Sequence, residues 1–190
     1  MTIGVLAIQG DFDAHRRRLE QLGAEVVLVK KPEQLDAVDA LIIPGGESTT
    51  FLKFLEKGGF LEKVREFVRV KPAFGTCAGA ILLANQVAPP QAGLGALDIS
   101  IRRNAYGRQL DSFIGQGETQ LPGGPLEMVF IRAPKIERFG PGVEVLAREK
   151  NDPVLVRQGK IMAATFHPEL SGDTRVHAEF LKLVRNGRAK

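Results

Sequence analysis

The chain has 190 residues, 44% hydrophobic and 25% charged, a balance typical of folded globular proteins rather than disordered or membrane chains. Its net charge is +4, but the basic residues are scattered without interleaved aromatics, so we expect no nucleic-acid partner. No apolar run reaches the roughly 18 residues of a membrane span, and no basic stretch precedes the first run, which predicts a cytoplasmic protein. We expect one domain spanning residues 1–190.

Strands and helices alternate in the first half of the chain. Short, β-branched apolar runs predict strands at residues 3–8, 26–29, 41–43 and 73–74. Apolar residues at helical spacing predict a helix between residues 12 and 22, and two helices between residues 51 and 70 that Gly58-Gly59 separates. The Ala-, Ile- and Leu-rich segment at residues 78–87 is interpreted as a buried helix.

The second half consists of short strand-like stretches separated by Gly and Pro, followed by one helix. Strands are predicted at residues 127–131, 143–147, 154–156 and 161–166, and a helix at residues 174–184. The whole pattern predicts an α/β fold with a mostly parallel central sheet and helices on both faces. Ligands bind such sheets at the carboxyl ends of the strands, so we expect the chemistry in the loops that follow strands.

The first of these loops to carry chemistry holds the only cysteine, Cys77, in the string Gly75-Thr76-Cys77-Ala78-Gly79. Gly-x-nucleophile-x-Gly between a strand and a helix is a sharp turn that exposes a nucleophile and requires small neighbours. The helix N-terminus behind it favours a thiolate. A free cysteine is often an inert buried side chain, but such a side chain needs no glycine frame. Cys77 is therefore predicted to be a nucleophile.

A cysteine nucleophile needs a base, and the chain contains three histidines. His15 lies beside Arg16, Arg17 and Arg18 and is interpreted as a surface or partner-contacting residue. His177 is interpreted as a partly exposed packing residue of the last helix.

The remaining histidine, His167, follows a predicted strand, as the cysteine does, and is predicted to be the base. Pro168 favours an extended chain before it, so Glu169 is expected to point the same way as His167 and to accept its imidazole N–H. A structural histidine with satisfied hydrogen bonds remains the alternative interpretation.

A third loop, residues 44–50, has the sequence Pro-Gly-Gly-Glu-Ser-Thr-Thr. Ser48 and Thr49 are candidate N-caps of the following helix. Paired glycines allow backbone amides to approach a ligand, and the amides of Gly46 and Ala78 are predicted to form an oxyanion hole. The Gly-Lys-Ser/Thr of a phosphate-binding loop is absent. A tight turn without a role in binding or catalysis remains the alternative interpretation of this loop.

In their order along the chain (residues 44–50, 75–79 and 167–169) and in their spacing, the three loops resemble those of class I glutamine amidotransferases. The elbow of that family is Gly-x-Cys-x-Gly, and its His-x-Glu lies near the C-terminus. The chain is more narrowly similar to the glutaminase subunits of pyridoxal 5′-phosphate synthases. That similarity is carried by residues 4–10, 44–50, 74–79, 103–109, 130–134 and 166–170. The chain departs from the family in two places: Ala14 stands where Glu is frequent, and Ala105-Tyr106 stands where Ser-Phe is common.

The resemblance implies the flavodoxin-like architecture of class I amidotransferases and a triad of Cys77, His167 and Glu169, without a metal or cofactor. Arginine suits the α-carboxylate of glutamine, and a carboxylate suits its α-ammonium group. The resemblance assigns glutamine binding to six residues: Gly46, Glu47, Ser48, Arg103, Ile131 and Arg132.

The implied reaction is hydrolysis of L-glutamine to L-glutamate and ammonia. The implied partner is a synthase subunit, which receives the ammonia within a hetero-oligomer for pyridoxal 5′-phosphate (vitamin B6) biosynthesis. The alternatives are a glutaminase for another ammonia acceptor, a cysteine peptidase-like hydrolase with a related elbow, and a non-catalytic ligand-binding domain. Glu169 two residues after His167 and the arginine-bearing strings favour the amidotransferase, and the intact triad disfavours the non-catalytic domain.

Overall fold

A computed structural model describes residues 1–105 and 112–188 of the chain. The part of the family-like string 103–109 that follows Ala105 lies outside these residues. The strands are β1 (Thr2–Leu6), β2 (Glu25–Val29), β3 (Ala40–Ile43), β4 (Ala73–Thr76), β5 (Ala84–Ala88), β6 (Leu97–Arg102), β7 (Ser112–Thr119), β8 (Leu126–Ile131), β9 (Lys135–Phe139), β10 (Glu144–Glu149), β11 (Asp152–Gln158) and β12 (Ile161–Ala164). The α-helices are α1 (Phe12–Gln21), α2 (Ser48–Lys57), α3 (Phe60–Val70), α4 (Ala78–Leu83) and α5 (Arg175–Arg188).

Within the described residues, the main sheet has nine strands in the order β2-β1-β3-β4-β12-β11-β10-β7-β8. The five strands from β2 to β12 in that order are parallel. The other four continue the sheet in antiparallel pairing. A smaller sheet contains β5, β6 and β9. The α/β fold with a parallel core is thus confirmed, and the loops after β1, β3, β4 and β12 meet at one edge of that core.

Alternate residues of the parallel strands pack into two separate apolar layers. Ile3 and Val5 of β1 belong to the layer that contains apolar residues of α1 and α5. Leu6 belongs to the opposite layer, with residues of α2, α3 and α4. The prediction of helices on both faces is therefore confirmed. No helix in the two described segments is long and apolar enough to cross a membrane.

The helix predicted at residues 78–87 is wrong in its second half. Helix α4 ends at Leu83, and the chain continues directly as β5, which pairs in parallel with β6. Asn85 and Gln86 of β5 are exposed, so this segment is not the buried stretch that its composition suggested. The backbone hydrogen bonds to β6 outweigh the local helix propensity, and that partner strand begins well beyond the segment.

Candidate active site

The turn between β4 and α4 places Cys77 in a strained backbone conformation, with φ 48° and ψ −104°. Such a conformation is rare for a residue with a side chain and stores strain that the surrounding packing must offset. A Cβ added to Gly79 would lie 2.0 Å from the carbonyl oxygen of Ile43, and one on Gly75 would lie 2.5 Å from the backbone of Gly79. The glycine frame of this elbow is therefore a steric requirement.

His167 and Glu169 are hydrogen-bonded, with 2.7 Å between His167 Nδ1 and Glu169 Oε1. An ionised carboxylate only accepts, so Nδ1 carries the proton and Nε2 is left for another partner. The expected geometry was wrong in one respect: residues Pro168–Leu170 form a 3₁₀ turn and are not extended. The turn itself brings the carboxylate back to the imidazole.

His167 is 5% exposed and interacts with Cys77 as well as with Glu169. Burial disfavours the charged imidazole, but hydrogen bonds and charge interactions with the thiol and the carboxylate outweigh it and raise the pKa of His167 to about 10. Burial likewise opposes ionisation of Glu169, yet His15 and His167 outweigh it and lower the pKa of that carboxyl. The arrangement suits a protonated imidazole beside the ionised carboxylate of Glu169.

The loop after β3 covers the nucleophile and the imidazole. A Cβ on Gly45 would lie 2.6 Å from His167 Cε1 and 3.3 Å from Cys77 Cβ. A Cβ on Gly10 would lie 2.0 Å from the Gly45 carbonyl oxygen. The side chain of Gln9 donates to the carbonyl of Glu47 at 3.0 Å. The loop is thus held between the end of β1 and the elbow.

Helix α2 is capped by a different residue from those predicted. Glu47 is the N-cap, and its carboxylate accepts from the backbone amides of Thr49 at 3.0 Å and Thr50 at 2.8 Å. Ser48 is already the first helical residue, and its hydroxyl donates to Gln91 Oε1. The carboxylate of Glu47 is the favoured cap because it accepts hydrogen bonds from two backbone amides at once and complements the helix dipole.

A cavity of about 390 Å³ opens above the elbow, and Cys77 and His167 both line it. This volume lies in the range of small-molecule sites. All six predicted glutamine-binding residues line it: Gly46, Glu47, Ser48, Arg103, Ile131 and Arg132. The predicted oxyanion donor Ala78 is fully buried at the first position of α4, where a helix leaves its backbone amides without intrahelical partners.

On the far side of the cavity, the predicted binding residues partly contact one another. Arg103 Nη2 lies 3.4 Å from Glu47 Oε1 and 3.1 Å from Thr49 Oγ1. Arg132 follows the end of β8 with φ 44° and is exposed. Two cationic side chains, Arg103 and Arg132, and one anionic side chain, Glu47, therefore line the same cavity as the nucleophile.

Four lining residues were not predicted: Gly10, Asp11, Ile81 and Asn104. Gly10 and Asp11 follow the first strand, so their position after a strand was a usable signal. Asp11 has a second property, because ligand atoms of Asp11, His167 and Glu169 lie within 4.8 Å of one another, a spacing suited to a metal ion.

Two histidine assignments were wrong, because His15 and His177 are both fully buried and hydrogen-bonded to each other. The sequence contained the signal that would have placed them. His177 precedes Phe180, Leu181 and Val184 by three, four and seven residues, which puts it on the apolar stripe of α5. His15 likewise precedes Leu19 by four residues, which puts it on the buried side of α1.

Comparison with known proteins places this chain among relatives of nearly equal length. A family model described as the SNO glutamine amidotransferase family matches residues 5–186. A curated protein named Pyridoxal 5′-phosphate synthase subunit PdxT, from Koribacter versatilis, is 67% identical over 190 residues, covering 100% of this chain and 98% of the relative. One of the same name from Solibacter usitatus is 53% identical, covering 94% and 97%. A solved structure described as a glutamine amidotransferase is similar with a TM-score of 0.90 and 49% identity, covering 96% and 98%.

Proposed function

The chain belongs to the SNO glutamine amidotransferase family, and from that premise we propose that it hydrolyses L-glutamine through Cys77, His167 and Glu169 and supplies ammonia for pyridoxal 5′-phosphate synthesis. The observation that carries this proposal is one cavity, lined by the strained cysteine, the imidazole and all six residues proposed to bind glutamine. In this proposal residues 1–190 form one cytoplasmic domain that uses no metal or cofactor.

The proposed reaction begins with the ion pair that the raised pKa of His167 favours. The thiolate of Cys77 attacks the carboxamide carbon of glutamine, and the resulting oxyanion accepts from the backbone amides of Gly46 and Ala78. His167 protonates the departing nitrogen, the C–N bond breaks, and ammonia is released. A glutamyl thioester on Cys77 remains. Water then attacks the thioester, His167 takes its proton, and glutamate and the thiolate are released.

Substrate recognition in the proposal uses three charged residues that line the cavity. Arg103 and Arg132 hold the α-carboxylate, and Glu47 accepts from the α-ammonium group. In the proposal, glutamine inserts between Arg103 and Glu47, which lie 3.4 Å apart and attract each other. Ser48 and Ile131 line the same cavity.

The proposed acceptor is a synthase subunit, because relatives at 67% and 53% identity are named as subunits of pyridoxal 5′-phosphate synthase. The proposed docking surface comprises residues 9–11 and the exposed side of α1. Gly10 contacts the loop that carries Gly46, so binding there would order one of the proposed oxyanion donors. We therefore expect weak glutaminase activity in the isolated chain and stimulation by the synthase subunit.

The test is titration of the purified synthase subunit into the chain while glutamate release is measured, with Cys77→Ala as the inactive control. Activity that rises with the subunit and is absent in the control supports the proposal. Complex formation is measured in parallel with and without glutamine, and we expect glutamine to tighten it because coupling between two ligands is reciprocal. Peptidase activity without glutaminase activity would overturn the reaction, and full activity unchanged by the subunit would overturn the partnership.

A further inference from the structure

Behind the triad lies a pair of buried histidines that the reaction as described does not use. His15 Nδ1 lies 3.0 Å from His177 Nε2. On the other side of its ring, His15 Nε2 lies 3.1 Å from Thr76 Oγ1 and 3.4 Å from Glu169 Oε2. The contacts form one continuous path from α5 through α1 to the carboxylate that orients His167.

The two carboxylate oxygens of Glu169 have different surroundings, and the second oxygen, Oε2, is the one that His15 faces. Glu169 Oε1 bonds to His167, but Oε2 is buried and has no hydrogen-bond partner of ordinary length among residues 1–105 and 112–188. A buried carboxylate oxygen without a donor is costly. The nitrogen at 3.4 Å, His15 Nε2, faces that oxygen and can reduce the cost only if it carries a proton.

This requirement settles the protons of both histidines. If a neutral His15 holds its proton on Nε2, its Nδ1 is an acceptor, and the neighbouring Nε2 of His177 must donate. His177 Nδ1 is then a bare acceptor, which fits the absence of a hydrogen-bond partner for it in the part of the chain that the structure describes. The opposite assignment turns a lone pair toward Glu169 and buries an unpaired N–H on His177. Burial lowers the pKa of both residues, that of His177 to about 3, so each is neutral with one proton.

We propose that His15 is a positioning residue of the triad, which directs its Nε2–H at Glu169 Oε2 and so holds the carboxylate that orients His167, while His177 fixes the tautomer of His15. The inference rests on the proposed function only for its effect on turnover. Thr76, which directly precedes the nucleophile, shares the same N–H and links it to the elbow.

The first test reads the tautomers directly and needs no activity. The chain has three histidines, so a spectrum of the protein with ¹⁵N-labelled imidazole rings contains few signals, which single variants assign. At neutral pH we expect His15 and His177 to be neutral and protonated on Nε2, and His167 to be protonated on both nitrogens. A His15 that carries its proton on Nδ1, or on both nitrogens, would overturn the proposal.

The second test uses two substitutions that place an amide at different distances from the backbone. The amide of glutamine reaches about as far as His Nε2, whereas that of asparagine reaches only as far as Nδ1. In the complex with the synthase subunit, we expect His15→Asn to lower kcat roughly ten- to a hundredfold, with little change in KM for glutamine. Losses of this size follow removal of the hydrogen-bond partners that orient metal-binding histidines. His15→Gln should recover most of that loss.

The matched control is Thr165→Val, two residues before His167, which removes a buried hydroxyl that has no hydrogen-bond partner among the described residues. We expect it to leave kcat unchanged. Equal losses in His15→Asn and His15→Gln that follow their unfolding temperatures would mean a merely structural role and would overturn the proposal, as would wild-type kcat in both. Glutaminase activity that persists in Cys77→Ala would instead refute the proposed function, while the tautomer measurement would still stand.

Discussion

The two sides of the cavity are built differently. On the nucleophile side, Cys77, His167 and Glu169 are buried, and backbone contacts enforced by glycines surround them. On the recognition side, Glu47 and Arg132 are exposed, and the charged groups contact each other through long, adjustable side chains. In the proposed function, the chemistry therefore resides in the buried half, and glutamine is selected by the exposed half, whose long side chains have room to adjust to it.

Because of this difference, we expect substitutions on the two sides to affect different quantities. A change on the buried side removes a group that nothing else replaces, so it affects turnover by orders of magnitude. A change on the exposed side removes one of several charge contacts, so it affects affinity by a modest factor. Three predictions test that contrast, in order of decreasing magnitude.

The largest effect belongs to Cys77. We expect Cys77→Ala and Cys77→Gly both to lose glutamine hydrolysis by several orders of magnitude, since each lacks the nucleophile. They should differ in stability, because the φ of 48° strains alanine but not glycine. In urea unfolding, the glycine variant should be more stable by about 1 kcal/mol. This difference is the backbone strain that glycine relieves, reduced by the larger conformational entropy that glycine gives the unfolded chain. Substantial activity in either variant would refute the assignment of the nucleophile, and equal stability would refute the strain.

The intermediate effect belongs to the arginines of the recognition side. On the Cys77→Ala background, Arg103→Ala or Arg132→Ala should each cost about 1.5–3 kcal/mol of glutamine binding, or at least a tenfold rise in Kd, through loss of a charge-assisted bond. Calorimetry measures this without turnover. Arg69→Ala, an exposed arginine on α3 outside the cavity, is the matched control and should leave Kd unchanged. If all three variants bind glutamine equally well, these arginines do not belong to the site.

The smallest effect concerns Glu47 as the cap of α2. Hydrogen bonds from Thr49 and Thr50 outweigh burial and lower the pKa of Glu47 from 4.5 to about 2. Because the folded pKa is depressed, this stabilisation is present above pH 4.5 and is lost as the pH falls toward 2. The side chain is 57% exposed, so we expect about 1 kcal/mol, as for other N-caps screened by solvent.

The measurement for this cap is the free energy of unfolding of the wild type and of Glu47→Gln at pH 7 and pH 3. The wild type should be the more stable protein at pH 7, and the difference should shrink at pH 3. A difference that is the same at both pH values would mean that the carboxylate does not act as a charged cap.

The sequence predicted the parallel strands and the three loops well, because each loop follows a short apolar run and contains residue types with narrow steric or chemical roles. Other features depend on distant partners. Residues 84–88 become a strand only because β6 lies beside them. His15 and His177 stabilise each other across 162 positions of sequence, and neither position reveals that contact alone. The arginines gained their proposed roles from resemblance, since nothing local distinguishes Arg103 from a surface arginine.

The contact between Gly79 and the carbonyl oxygen of Ile43 also limits how this protein can evolve. A methyl group at position 79 would meet backbone, and no replacement of the Ile43 side chain moves that oxygen away. By contrast, a methyl group at Gly4 would meet first the side-chain methyls of Val38 and Val29, at 3.0 and 3.1 Å, which smaller residues would remove. A side-chain substitution at position 43 is therefore not expected to suppress the defect of Gly79→Ala, whereas smaller residues at positions 38 and 29 should make room for Gly4→Ala.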